Sequence, residues 1–168
     1  MRPATGNYTP YLEKYFSQAP GNDVHEAFAL STNDLLKTIS AISNDKGDFA
    51  YAEGKWTIKE LLIHISDAER IFAYRLLRFA RGDNQQPLPF EEDDYVRNCN
   101  AGKRSLKSVT DELIAVRNAT ITLIESLQVE DLPKTGKTAV GTISVNDLGF
   151  VICGHCTHHL KVLRERYL

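Results

Sequence analysis

The chain has 168 residues, 42% of them hydrophobic and 25% charged, which suits one globular domain and argues against intrinsic disorder. Twenty Lys and Arg against 22 Asp and Glu leave a net charge of −2 and no basic footprint for duplex nucleic acid, so no nucleic-acid partner is expected. No apolar run approaches bilayer length and the N-terminus carries no signal-peptide core, so neither a membrane partner nor export is expected; with three Cys, an odd number, the reading is a cytoplasmic chain without a disulfide framework.

Six prolines divide the chain, and helices are expected between them. Residues 1–22 read as an N-terminal extension and 23–168 as the domain. A first helix runs to about Ser43, with Asp23 as N-cap, Glu26 completing a capping box, and Phe28, Leu35, Leu36, Ile39 and Ile42 at helical spacing. The segment 44–55, with Gly47 and Gly54, reads as a loop. The second helix follows Thr57, an N-cap with Glu60 three residues on, and ends near Gly82. Its apolar stripe is Leu61, Ile65, Ala68, Phe72, Leu76 and Phe79.

A crossing segment from Asp83 to about Lys103 holds Pro87, Pro89 and the acidic patch Glu91–Asp94. The third helix starts near Ser105 and stacks Leu106, Val109, Leu113, Val116, Thr120, Ile124 and Leu127 on one face. A Gly/Thr-rich connector, with no alternating strand pattern expected in it, leads to a fourth helix from about Ser144 to Tyr167. The fold class that follows is all-α, a four-helix bundle. The long crossing segment between helices two and three can carry the chain back along the bundle, which favours an up-down-down-up order.

The fourth helix carries Gly-His-Cys-Thr-His-His, residues 154–159. At about 100° per residue, His155 and His159 lie about 40° apart on the wheel, in the direction of Leu148, Ile152, Val162 and Leu163. Two imidazoles one turn apart can chelate one divalent ion. A third ligand has to come from another helix, and His64 sits beside the apolar stripe of the second. Three neutral imidazoles with an open position make a catalytic-type zinc site, although any one of these histidines alone would read as a core residue with its hydrogen bonds met.

Around this centre, Asp67 lies one turn beyond His64 and could orient a ligand or act as a catalytic base, or simply pair with a neighbour at the surface. Arg75 returns close to the direction of His64, where it could bind an anionic group of a substrate or snorkel outward, and Tyr74 is a candidate for the pocket rim. Trp56 anchors the start of the second helix. Glu69 and Arg70 point away from His64 and read as structural or interface residues. Cys153-Gly154-His155-Cys156 matches the redox tetrapeptide of disulfide isomerases, but it falls mid-helix, where no helix dipole supports a thiolate.

The segments GKWTIKELLIHISDAERIFAYRLLRFARGD and GHCTHHLKVLRERYL together resemble the DinB/YfiT-like family of metal-binding four-helix proteins. The shared pattern is W-[ST]-x-x-E-x-x-x-H-x-x-D-x-E on the second helix and H-x-x-H-H on the fourth, and the resemblance spans residues 23–168. It implies that His64, His155 and His159 bind one divalent ion per chain, zinc or nickel, in a pocket between helices. It further implies a metal-dependent enzyme acting on a small molecule, either a transferase using a low-molecular-weight thiol as cofactor or a hydrolase using water acidified by the metal. A homodimer is common among such proteins. Two alternatives stay open at this point: a noncatalytic metal-binding stress-response module acting as a dimer, and a thiol–disulfide oxidoreductase using Cys153 and Cys156.

Overall fold

Pro10 occupies the first turn of a helix, where its missing N–H would have no partner in any case. The computed structural model, which describes residues 1–3, 6, 8–83 and 85–168, thus places α1 at Pro10–Gln18 inside the expected extension. Its Leu12, Tyr15 and Phe16 are buried in the core. Proline taken as punctuation hides this helix, because the same residue that breaks a helix interior starts one at its first position.

The four long helices follow the expected boundaries. They are α2 (Val24–Ser40), α3 (Ile58–Ala80), α5 (Leu106–Glu125) and α6 (Val145–Arg166), with the short α4 (Glu92–Asn98) in the crossing segment. Each long helix is capped by its own sequence: Asp23, Thr57, Ser105 and Ser144 accept from the backbone N–H three residues on. At Thr57 the box is reciprocal, since Glu60 accepts from the Thr57 backbone N–H at 2.7 Å. The stripes of α3 and α5 are buried along their whole length, whereas Leu36 of α2 faces solvent.

Contacts settle the order of the helices. Val24 meets Gly149, while Asp34 and Thr38 bond Arg164, so α2 and α6 run parallel. Tyr167 donates to the Trp56 carbonyl and Phe72 packs on His155, so α3 runs antiparallel to α6. Lys59 reaches the Arg104 carbonyl, and Leu77 shares a surface groove with Leu123, so α3 and α5 are parallel. Arg117 bonds Ser31, and Ile124 lies near the α2–α6 contact, so α2 and α5 are antiparallel. The order is up-down-down-up, and residues 81–105 return the chain between the two parallel helices.

The connector departs from the strand-free expectation. Thr135–Thr138 (β1) and Gly141–Ser144 (β2) pair as an antiparallel hairpin, Gly136 opposite Ile143. Four-residue strands are too short to announce themselves by alternation. This pair is held by what lies beneath it: a Cβ on Gly136 would stand 2.1 Å from the Phe79 ring. The hairpin delivers the chain to the Ser144 cap, and Lys134 bonds the Ala80 carbonyl at the end of α3.

Gly154 permits the close approach of α1 to α6; a Cβ there would lie 2.0 Å from the Tyr15 carbonyl oxygen. The apolar core forms two clusters, one around Phe16, Phe72 and Phe150, the other around Leu62, Leu113 and Leu160. Among the described residues, no helix is long and apolar enough to cross a membrane.

Candidate metal centre

The capping box starts α3 so that His64 falls about two turns into the helix, facing α6. There the three imidazoles meet. His64 Nε2 is 3.1 Å from His155 Nε2 and 3.1 Å from His159 Nε2, and His64 and His155 are only 2% and 4% exposed. Two nitrogens bound to one tetrahedral zinc at about 2.0–2.1 Å would stand roughly 3.3 Å apart. One ligand atom from each histidine lies within 4.8 Å of the others.

These residues fit a divalent cation better than they fit one another. A neutral imidazole has one N–H and one lone pair, so three convergent Nε2 atoms cannot all be satisfied mutually. Burial also holds the rings neutral: His64 is lowered to about 4, His159 to about 2, and His155 well below its ordinary value, with the neighbouring imidazoles adding to the effect on His155 and His159. Neutral imidazole is the ligand form. His159 Nδ1, also buried, has no hydrogen-bond partner among the described residues.

Aromatic rings wall the centre. Trp56 packs on His64 at 4.8 Å between centroids, Tyr15 on His155 at 5.4 Å and Phe72 on His155 at 5.6 Å. Trp56 therefore serves the site as well as the start of α3. His158 stands aside, its Nδ1 3.2 Å from Gln18 Oε1. One face opens to a pocket lined by Trp56, Leu61, His159, Val162, Tyr167 and the carboxylate of Asp93. The charge of Asp93 also favours the protonated form of His64. Sequence reasoning missed Asp93, which was one acid among four in the patch Glu91–Asp94; only the packing of α4 on α3 singles it out.

The other predicted residues lie elsewhere around the centre. Asp67 accepts from Arg70 at 3.2 Å, and Arg70 goes on to Glu112 at 2.6 Å, in a surface network that also includes Arg104. Tyr74 is 56% exposed beside Leu77 on the outer α3–α5 groove, with Arg78 over its ring. Arg75 lines a second cavity beyond Phe72. Glu69 is fully engaged with Arg117 in the bundle interior, as its position away from His64 suggested.

Cys153 and Cys156 are buried, and burial pushes both thiols up, away from the thiolate that redox exchange requires. In the native protein one of the three thiols, the partly exposed Cys99, is expected to react quickly with an aromatic disulfide reagent. Two or three fast thiols would show that α6 is open to solvent and would revive the redox reading.

Comparisons with known proteins identify the family and the fold. The DinB superfamily matches residues 27–163. A protein from Oceanobacillus iheyensis whose name proposes a metal-dependent hydrolase is 25% identical over 147 residues, covering 84% of each chain. A similarly named protein from Geobacillus kaustophilus is 23% identical over 139 residues, covering 80% of this chain and 78% of its own. Among solved structures, YfiT from Bacillus subtilis, described as a probable metal-dependent hydrolase with an unusual four-helix bundle topology, superposes with a TM-score of 0.71 at 13% identity, covering 98% of this chain and 90% of that one. A mycothiol-dependent maleylpyruvate isomerase superposes with a TM-score of 0.65 at 12% identity, over 93% of this chain and 60% of that chain.

Proposed function

The chain belongs to the DinB superfamily, and from that premise we propose that it is a metal-dependent hydrolase of a small molecule. The observation that carries the reading is the convergence of the His64, His155 and His159 Nε2 atoms beside an open pocket that also holds the Asp93 carboxylate. A divalent ion held there, zinc or nickel as the family resemblance implies, would supply Lewis acidity, lowering the pKa of water or a thiol and polarising a carbonyl.

The remaining work falls to the chain. The neutral imidazoles keep their lone pairs for the ion because burial disfavours their protonation. Trp56 and Val162 line the pocket with apolar surface that excludes water around a substrate, while Asp93 takes the proton released when the nucleophile attacks. Asp67 is held by Arg70 on the helix that bears His64.

The test is an assay of small esters and amides, with and without a carboxylate, using the purified protein before and after chelation. Hydrolysis is expected to disappear with the metal and return when it is restored. Asp93→Asn is expected to lower kcat by about 10²–10⁴ with metal content unchanged. Hydrolysis indifferent to chelation would overturn the reading. The likeness to a thiol-dependent isomerase favours a second reading, metal-assisted thiol transfer. Turnover of an electrophile only when a low-molecular-weight thiol is added would select it.

A further inference from the structure

Beyond Phe72 lies a second cavity, of about 190 Å³, between α1, α3, α6, the hairpin and the crossing segment. Its walls are mostly apolar, with Leu12, Phe90, Val140, Ile143, Leu148 and Val151 among them, and Tyr11 and Thr138 also in the lining. Among the described residues, one cation enters this lining, Arg75. One of its terminal nitrogens donates to the Leu88 carbonyl at 3.1 Å. Its Nε is buried and has no hydrogen-bond partner, and the side chain makes no ion pair, among the described residues. Glu92, which is close enough to act on Tyr11 in the same wall, does not pair with it.

A guanidinium kept partly out of water without an anion is costly, and desolvation lowers its affinity for the proton. The arrangement has the character of half an ion pair whose other half arrives from outside. The cavity also adjoins the metal centre. Phe72 carries the Arg75 guanidinium at 5.8 Å on one side and meets the His155 ring at 5.6 Å. Val151 lies one helical turn before His155.

We propose that this cavity is a binding site for the carboxylate end of a small apolar acid, with Arg75 as the specificity-determining residue. A single guanidinium balances one negative charge and forks onto a carboxylate, whereas a phosphate dianion would keep a charge unmatched against apolar walls. The volume suits an apolar body somewhat larger than benzene, which fills an apolar cavity of about 150 Å³. Calling this acid the substrate rests on the proposed hydrolytic reading; the binding site itself does not.

The experiment is therefore done on chelated, metal-free protein, with benzoate as the probe and benzamide and inorganic phosphate as controls, by calorimetry or ligand-observed NMR. Benzoate is expected to bind at least about tenfold more tightly than benzamide or phosphate, and Arg75→Gln to remove that preference. Equal binding of benzamide, phosphate that competes as well as benzoate, or undiminished benzoate binding in Arg75→Gln would overturn the assignment. So would benzoate binding that requires the metal and is lost in His155→Ala/His159→Ala, because the carboxylate would then be a metal ligand. Should Arg75→Gln fail to fold, protection of wild-type Arg75 from phenylglyoxal by benzoate, mapped by peptide mass, decides the matter instead: protection supports the site and equal labelling refutes it. A protein that binds benzoate but no metal would sink the hydrolase and leave this site standing, and one that binds metal but not benzoate would do the reverse.

Discussion

Replacing His155 and His159 together by Ala is expected to take the metal content of the purified protein from about one divalent ion per chain to near zero, with helical content unchanged. The expectation follows from geometry. These two residues supply two of the three Nε2 atoms that converge within 4.8 Å, and among the described residues no other His, Cys, Asp or Glu joins that set. A single remaining imidazole, His64, holds an ion only weakly. The bundle survives because its caps and its two apolar clusters do not depend on these rings. A second readout is thermal: metal at about 100 times its Kd adds about 2.7 kcal/mol to the wild type, or roughly 5–10 °C in Tm for a chain of this size, and nothing to the variant. Full metal content in the double variant would remove the His64–His155–His159 centre and the proposed chemistry with it.

The second large effect concerns the ion pair at the heart of the bundle. Arg117 and Glu69 are 1% and 2% exposed, with Arg117 Nε 2.9 Å and a terminal nitrogen 2.7 Å from the two carboxylate oxygens. The guanidinium also bonds Ser31 and Thr32 and lies over the Phe28 ring, so one side chain of α5 ties α3 to α2. Burial works against its charge, but Glu69 outweighs this and holds Arg117 protonated well above its ordinary range. Glu69→Ala leaves that cation buried without its partner and is expected to cost about 3–5 kcal/mol, on the order of 10 °C in Tm. Removing both charges is a different matter. Glu69→Leu/Arg117→Met exchanges the pair for apolar volume and is expected to recover most of the loss. Chemical denaturation of the three proteins decides it, and a double variant as unstable as Glu69→Ala would show that the pair contributes by shape and hydrogen bonding rather than by avoiding an orphaned charge.

The two effects divide the segment 56–69 between them. Thr57 and Glu60 cap α3, Trp56 packs on His64, His64 faces the other histidines, Asp67 pairs with Arg70, and Glu69 is buried against Arg117. A motif read as one metal-binding signature is thus a start signal, a ligand and a structural charge in succession. Sequence periodicity could place Glu69 away from His64, but not identify Arg117 as its partner 48 residues on. Pairing at that distance depends on the parallel docking of α3 and α5.

What the sequence determined by itself is local and periodic. The four long helices, their Ser, Thr and Asp caps, and the inward pair His155 and His159 all follow from side-chain spacing and from which residues can bond a free backbone N–H. Even the up-down-down-up order was legible, because a connection as long as 81–105 has the reach to bring the chain back. The tertiary structure alone decided what depends on contact between distant segments. It turned Pro10 into a helix start, stabilised the 135–144 hairpin over Phe79, chose Asp93 out of four neighbouring acids, and left Arg75 in a largely apolar cavity with no carboxylate paired to it among the described residues. The physical reason is the same in each case: a lone polar or punctuating residue takes its role from the groups packed against it, and those groups are far away in sequence.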